Sequence, residues 1–227
     1  MTSTTLPKRR NETVLQPLEL PVLLWMARKM PAWVTPDILT AFGFIGGCIA
    51  AGGYAASRWQ PDCLWLASLG LLINWFGDSL DGNLARFRKT ERPLYGLHLD
   101  QNLDAVAQLL FAIGIGLSGF IRFELSMFTL ATFFLLSILS LVRAITSNVF
   151  DMAYGAVGLT ELRIGFIILN AIMYFYPPGT IIIGDFGFKY PEILSLAWAT
   201  SMLVAFFMSF TSNLRQLSKA EPKRPVG

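Results

Sequence analysis

An all-α integral membrane protein is what three features of this sequence predict. First, 54% of its 227 residues are hydrophobic and 15% are charged, against about 25% charged in an average soluble domain. Second, the apolar residues come in long blocks with the charges confined between them, which is the pattern of membrane-crossing helices rather than of a soluble core. Third, Lys and Arg gather on one side of those blocks, as they do on the cytoplasmic side of a membrane. At roughly 20 residues per span, about six transmembrane helices fit, in one helical domain.

Residues 1–16 are polar and basic with no apolar run behind them, and read as a flexible cytoplasmic tail rather than a cleavable signal peptide. Residues 17–34 mix Leu, Trp and Met with Arg28 and Lys29. They are too few and too charged to span, so they read as an amphipathic helix lying in the interface, with an ordinary leader into the first span as the alternative. The six-helix domain then takes residues 35–213. Its first span runs to about Ser57: Pro36 suits a first helical turn, and Asp37 suits the positive end of the helix dipole. Gly43 and Gly47 form a GxxxG pair that permits close helix packing. The second span starts near Asp62 and stays helical beyond Phe76, through Arg88. The third runs from about Leu97 to Ile121, the fourth covers Leu125–Phe150, the fifth Glu161–Tyr176 and the sixth Pro191–Asn213. An ordered loop is expected between the last two, and residues 214–227 read as a basic cytoplasmic tail.

Orientation follows from the charges. Lys8, Arg9, Arg10, Arg28, Lys29, Arg86, Arg88, Lys89, Arg92, Arg163, Arg215, Lys219, Lys223 and Arg224 fall on one side, against Arg58, Arg122 and Lys189 on the other. Both termini should therefore be cytoplasmic, and a bacterial inner membrane is the expected location. The net charge of +3 gives no reason to expect a nucleic-acid partner. Two cysteines, Cys48 and Cys63, provide neither a disulfide framework nor a cysteine metal site.

Against this apolar background, GDSLDGNLARFRKTERPLYGLHLDQNLD (residues 77–104) stands out. On a helix, Asp78, Asp81 and Ala85 share one stripe, with Gly82 and Arg86 on the next; on the following helix Gly96, Asp100 and Asp104 share another. Two short faces thus present two carboxylates each near the cytoplasmic boundary. An aspartate at the centre of a membrane helix costs about 2.5–3.5 kcal/mol, and Arg86 cannot neutralise four. A hard divalent cation can, and carboxylate oxygens are the ligands Mg²⁺ prefers. Four carboxylates suit two ions, and a two-metal site suits phosphoryl transfer. Gly82 and Ala85 leave the helix surface open to a phosphate or nucleotide, and Arg86 offers a planar fork for a diphosphate. A solvated cluster pairing these acids with Arg86, Arg88, Lys89 and Arg92 is the plainer alternative.

The pattern Asp78-x2-Asp81-Gly82-x2-Ala85-Arg86-x9-Gly96-x3-Asp100-x3-Asp104 resembles the signature of the CDP-alcohol phosphotransferase family at all eight fixed positions. The resemblance implies transfer of a substituted phosphoryl group from a CDP-linked donor to an alcohol, with release of CMP, in phospholipid biosynthesis. It implies that Asp78, Asp81, Asp100 and Asp104 hold two Mg²⁺ or Mn²⁺ ions, that Asp104 is also the general base on the acceptor hydroxyl, and that Gly82, Ala85 and Arg86 line the CDP site. Asp37 and Thr40, in TPDILT, match the family's nucleotide contact on its first span. A homodimer with a cytoplasm-facing cavity open to lipid is the implied assembly.

The alcohol is less legible. GLTELR (residues 158–163) is similar to a GxTExR stretch in choline/ethanolamine-phosphotransferase-like proteins, which favours a small CDP-alcohol donor and a lipid acceptor. Gln101 stands where the eukaryotic members of that group carry a His. Phosphatidyl transfer from CDP-diacylglycerol to a polar alcohol is the competing reading. Arg143 could bind a substrate phosphate or snorkel to head groups, Glu161 and Arg163 could line the acceptor pocket or cap a helix, and Asn74, one turn before Asp78, could orient it. His98 faces away from the carboxylate stripe. A cation- or proton-coupled transporter would also explain intramembrane acids, but not Arg86 and the glycines at these spacings. An inactive lipid-binding relative would have no need of the intact aspartate set.

Overall fold

The computed structural model describes residues 8–10, 14–147, 149–151, 158–183 and 186–220. Seven helices dominate: α1 (Gln16–Lys29), α2 (Pro36–Ala56), α3 (Cys63–Arg88), α4 (Pro93–Leu117), α5 (Phe123–Ser147), α6 (Leu159–Phe175) and α7 (Tyr190–Ala220). Two small sheets accompany them. Strand β1 (Lys8–Arg10) pairs in parallel with β2 (Val149–Asp151), so ordered backbone occurs within the segment expected as a flexible tail. Strands β3 (Thr180–Ile183) and β4 (Phe186–Lys189) pair antiparallel where a loop was expected, and Gly184 and Asp185 lie outside the described residues. The β-branched run Thr180–Ile183 and the Phe186 and Phe188 pair supply the strand preference there. Helix α7 continues past Asn213 to Ala220, so helix replaces the first half of the expected C-terminal tail.

Helices α2, α3, α5 and α7 are long and apolar enough to cross a membrane. Six such helices were expected. The two remaining are α4, whose first half carries Asp100 and Asp104, and α6, whose 17 residues rise about 26 Å at 1.5 Å each. Helix α1 was expected to be amphipathic. It buries Leu23 and Ala27 against α3 but exposes Leu18, Leu20, Val22, Leu24 and Trp25, so its apolar residues are not confined to one face.

The helix ends explain themselves locally. Thr35 caps α2 by accepting from the Ile38 N–H at 3.3 Å, with Pro36 in the first turn. Helix α3 runs without a break through Asp78 and Asp81 and stops at Lys89, whose φ of 56° is left-handed. There the Thr90 and Lys89 N–H groups close back on the Ala85 and Arg86 carbonyls at 3.0 and 3.2 Å.

The packing that places the site is a seam of small residues between α2 and α3. A Cβ on Gly77 would lie 2.5 Å from Gly43 Cα, and one on Gly70 would lie 2.7 Å from Ala50 Cα. Backbone therefore meets backbone, the close approach that small residues allow in membrane helices. Helix α4 joins the other side of α2 in the same way: a Cβ on Gly114 would lie 2.8 Å from Ala51 Cα. Helix α6 is pinned to both α2 and α3 by a buried polar chain, in which Tyr54 Oη donates to Asn170 Oδ1 at 2.8 Å and Asn170 Nδ2 donates to Ser68 Oγ at 3.0 Å. Helices α5 and α7 form a second layer, linked by Thr129 and Ser195 hydroxyls 2.9 Å apart and, at the chain turn, by Arg122 donating to the buried Glu192 at 3.0 Å.

Candidate active site

The seam brings the start of α2 alongside the end of α3, and α4 closes the third side. Between them lies a cavity of about 10 Å³ lined by Thr40, Asn74, Asp78, Asp100 and Asp104, among others. A space of that size holds about one water or small ion; a nucleotide would have to lie over it. Asp81, one turn beyond Asp78, is buried beside it and accepts from Thr40 Oγ1 at 2.6 Å. Asp104 interacts electrostatically with Asp78, Asp81 and Asp100, and with the Arg163 guanidinium. The two stripes read from the sequence thus face one another across one small space.

Side chains from α2 and α6 hold Asp81 and Asp78. Thr40 engages Asp81, while Arg163, from α6, donates an Nη2–H to Asp78 Oδ2 at 2.5 Å. Arg163 Nε donates to Asn74 Oδ1 at 2.9 Å, and Asn74 Nδ2 donates in turn to the Gly43 carbonyl at 3.0 Å. Asn74 therefore orients Arg163, which holds Asp78. Among the described residues, no three acidic, His or Cys side chains close round a single point as metal ligands. The donor chemistry is nevertheless that of a hard cation, with carboxylate oxygens gathered at a water-sized space.

The remaining expected residues fall around this centre. Gly82 is open except toward Arg86: a Cβ there would meet that guanidinium at 3.6 Å, an ordinary contact. Ala85 is half-buried, and the exposed Arg86 donates to Asn83 Oδ1 at 3.0 Å. Asp37, one turn before Thr40, is exposed and pairs with Arg92 at 2.6 Å. Arg92 also stacks 3.9 Å from the Tyr95 ring centre, and its pKa is raised, first by the hydrogen bond to Asp37. Glu161 caps α6, accepting from the Gly158 and Leu15 N–H groups at 2.9 Å each, which favours its capping reading. Arg143 is half-buried near the end of α5 and does not line the carboxylate cavity. His98 is exposed beside Asn102.

The chain matches the family model described as CDP-alcohol phosphatidyltransferase over residues 33–211. It belongs to the CDP-alcohol phosphatidyltransferase family. The matched span begins just after α1 and ends within α7, so it contains every helix that contributes a carboxylate. Among curated relatives, a cholinephosphotransferase 1 from Gallus gallus is 27% identical over 110 residues, covering 46% of this chain and 32% of that protein. One from Danio rerio is 29% identical over 96 residues, covering 40% and 25%. A phosphatidylinositol phosphate synthase from Cutibacterium acnes is 35% identical over 86 residues, covering 38% and 39%. Each match thus takes in well under half of the relative's own length. Family membership favours the transferase reading of the aspartates over the transporter reading.

Two contacts at this site were missed in the sequence. Arg163 comes from 85 residues beyond Asp78, and no local spacing announces such a contact. Thr40 was expected at the nucleotide, and the structure adds a contact the sequence did not announce, its hydroxyl donating to Asp81 Oδ2 at 2.6 Å.

Proposed function

We propose that this family member transfers a substituted phosphoryl group from a CDP-linked donor to an alcohol in phospholipid biosynthesis, at the cavity between α2, α3 and α4. The convergence of Asp78, Asp100 and Asp104 with the Thr40-held Asp81 is the observation that carries the reading. Asp78, Asp81, Asp100 and Asp104 would hold two Mg²⁺ or Mn²⁺ ions. When bound, the ions neutralise charge on the diphosphate and lower the pKa of a nearby oxygen nucleophile.

The chain's own residues do the rest. Gly82 and Ala85 leave the α3 surface clear for the diphosphate, and Arg86, exposed and one turn away, swings from Asn83 to its oxygens. Asp37 and Thr40 meet the nucleotide from α2. Asp104 accepts the proton of the acceptor hydroxyl as that oxygen bonds to the phosphorus bearing the donor's alcohol. The bond from that phosphorus to the bridging oxygen of the diphosphate breaks, and CMP leaves with the electron pair. Arg143, Glu161 and Arg163 are the candidate acceptor contacts, of which Glu161 also caps α6 and Arg163 also pairs with Asp78.

The assembly in view is a homodimer in the membrane, with α4 and α6 completing six spans, α1 at the interface, and both termini and the cavity on the cytoplasmic side. The GLTELR stretch favours a small CDP-alcohol donor onto a lipid acceptor. The Cutibacterium acnes relative, named for phosphatidylinositol phosphate synthesis, supports the alternative of phosphatidyl transfer from CDP-diacylglycerol to a polar alcohol. Purified protein incubated with Mg²⁺, a panel of CDP-alcohols and CDP-diacylglycerol, and lipid or polar acceptors should release CMP with one class of pair. No metal-dependent CMP from any pair overturns the proposal.

A further inference from the structure

Arg163 stands between two compartments of opposite character. On one side is the carboxylate cavity, reached through Asp78. On the other is a mostly apolar cavity of about 310 Å³ between α1, α3 and α6, walled by Leu71, Trp75, Ile164 and Ile167, with Arg163 and Glu19 also in the lining, the latter accepting from Trp75 Nε1 at 2.6 Å and Thr160 Oγ1 at 3.0 Å. The guanidinium is little exposed, at 12%, and Asp78 at 25%. Its Nε end is fixed by Asn74, which the Gly43 carbonyl fixes in turn. Its Nη2 end holds the carboxylate, and Asp78 is one of the four acids that the proposed reaction assigns to a cation.

A charged group this well sheltered needs a partner, and four clustered carboxylates need cations. Arg163 and Asp78 meet each other's need in this pair. The guanidinium engages Asp78 Oδ2 while Asp78 still lines the cavity shared with Asp100 and Asp104. We infer that Arg163 is a resident counter-ion of the site: it holds Asp78 until a divalent cation displaces it, with Asn74 as the pivot about which its free end exchanges. The pivot matters because displacement at Nη2 leaves the bond at Nε in place. The guanidinium then remains tethered at the wall of the apolar cavity. Helix α6 is coupled in this way to cation binding at α3 and α4. Arg163 is a positioning residue here, acting on the reaction through Asp78.

The inference rests on the cation reading of the aspartates, and one titration separates the two. Mn²⁺ binding to the purified, substrate-free protein is followed by its paramagnetic resonance signal, beside a thermal melt. Arg163→Gln, which removes the competitor, should tighten Mn²⁺ binding by about tenfold, as deleting an ion pair worth about 1.4 kcal/mol would. Asn74→Ala, which loosens the pivot but keeps the charge, should tighten it by less, and Arg163→Lys should stay near wild type because the ammonium can still pair with Asp78. Unchanged or weaker Mn²⁺ binding in folded Arg163→Gln overturns the counter-ion role, and so does weaker binding in Asn74→Ala if the glutamine variant does not fold. Wild-type protein that binds no Mn²⁺ overturns the cation reading itself and this inference with it.

Discussion

The chemistry rests on a few side chains whose partners can be changed one at a time. Asp104 lies in the cavity with Asp78 and Asp100, and it is the proposed base. Asp104→Asn keeps the shape and removes the proton acceptor, so CMP release should fall by about 10²–10⁴-fold. CDP binding, measured by calorimetry, should survive. CMP release near the wild-type rate would remove Asp104 from the base role. Thr40 tests the support rather than the chemistry. Its hydroxyl holds Asp81 at 2.6 Å, and loss of such an outer contact typically costs 10–100-fold in metal affinity. Thr40→Val should therefore weaken Mn²⁺ binding by about that factor while the melt stays near wild type. Equal Mn²⁺ affinity in the two proteins would show that the hydroxyl serves the nucleotide alone.

At the scale of helices, Gly77 and Gly82, which flank the Asp78–Asp81 pair on either side, make opposite predictions. Gly77 is closed in by α2 backbone, whereas Gly82 faces only the movable Arg86 guanidinium. Gly77→Ala should lower the thermal midpoint in detergent and reduce yield, because α2 and α3 must separate. Gly82→Ala should fold at least as well, since alanine is the better helix former by about 1 kcal/mol, yet its KM for the CDP donor should rise. A Gly82→Ala enzyme with unaltered donor KM would place the nucleotide elsewhere. The same contrast shows what the sequence could disclose. The carboxylate stripes, the unbroken α3 through Arg88 and the start of α2 at Pro36 follow from the pattern within one helix, and all were legible. The roles of Arg163, Arg92 and Asn74 depend on which helices touch, so they were not. Neither was the β3–β4 hairpin, because four-residue strands carry too little periodic signal to be told from a loop. Arg88 shows the limit most directly. It was counted among cytoplasmic charges, but it donates to the carbonyls of Met30, Pro31 and Val34 at 3.2, 2.7 and 2.5 Å and ties the α1–α2 link to the end of α3.

The molecule as a whole has an uneven build. Helices α2, α3 and α4 meet closely around the carboxylates, while α5 and α7 expose most of their apolar surface, as lipid-facing helices do. Orientation in the membrane can be checked directly. In a variant lacking Cys48 and Cys63, single cysteines placed at Thr5 and Pro225 should resist a membrane-impermeant maleimide in intact cells and react after permeabilisation. One placed at Trp59, in the exposed α2–α3 link, should react without it. Termini that label from outside would invert the topology and put the carboxylates on the wrong side for a cytoplasmic nucleotide. The seam between α2 and α3 has an evolutionary reading. A side chain that clashes with another side chain can be accommodated by a second substitution across the interface. At Gly70 and Gly77 the obstacle is main chain, which no replacement on the other helix can shrink. Lineages of this protein should therefore show no paired, compensating exchanges at these two positions, and laboratory selection for second-site suppressors of Gly77→Ala should return revertants in place of partners on α2.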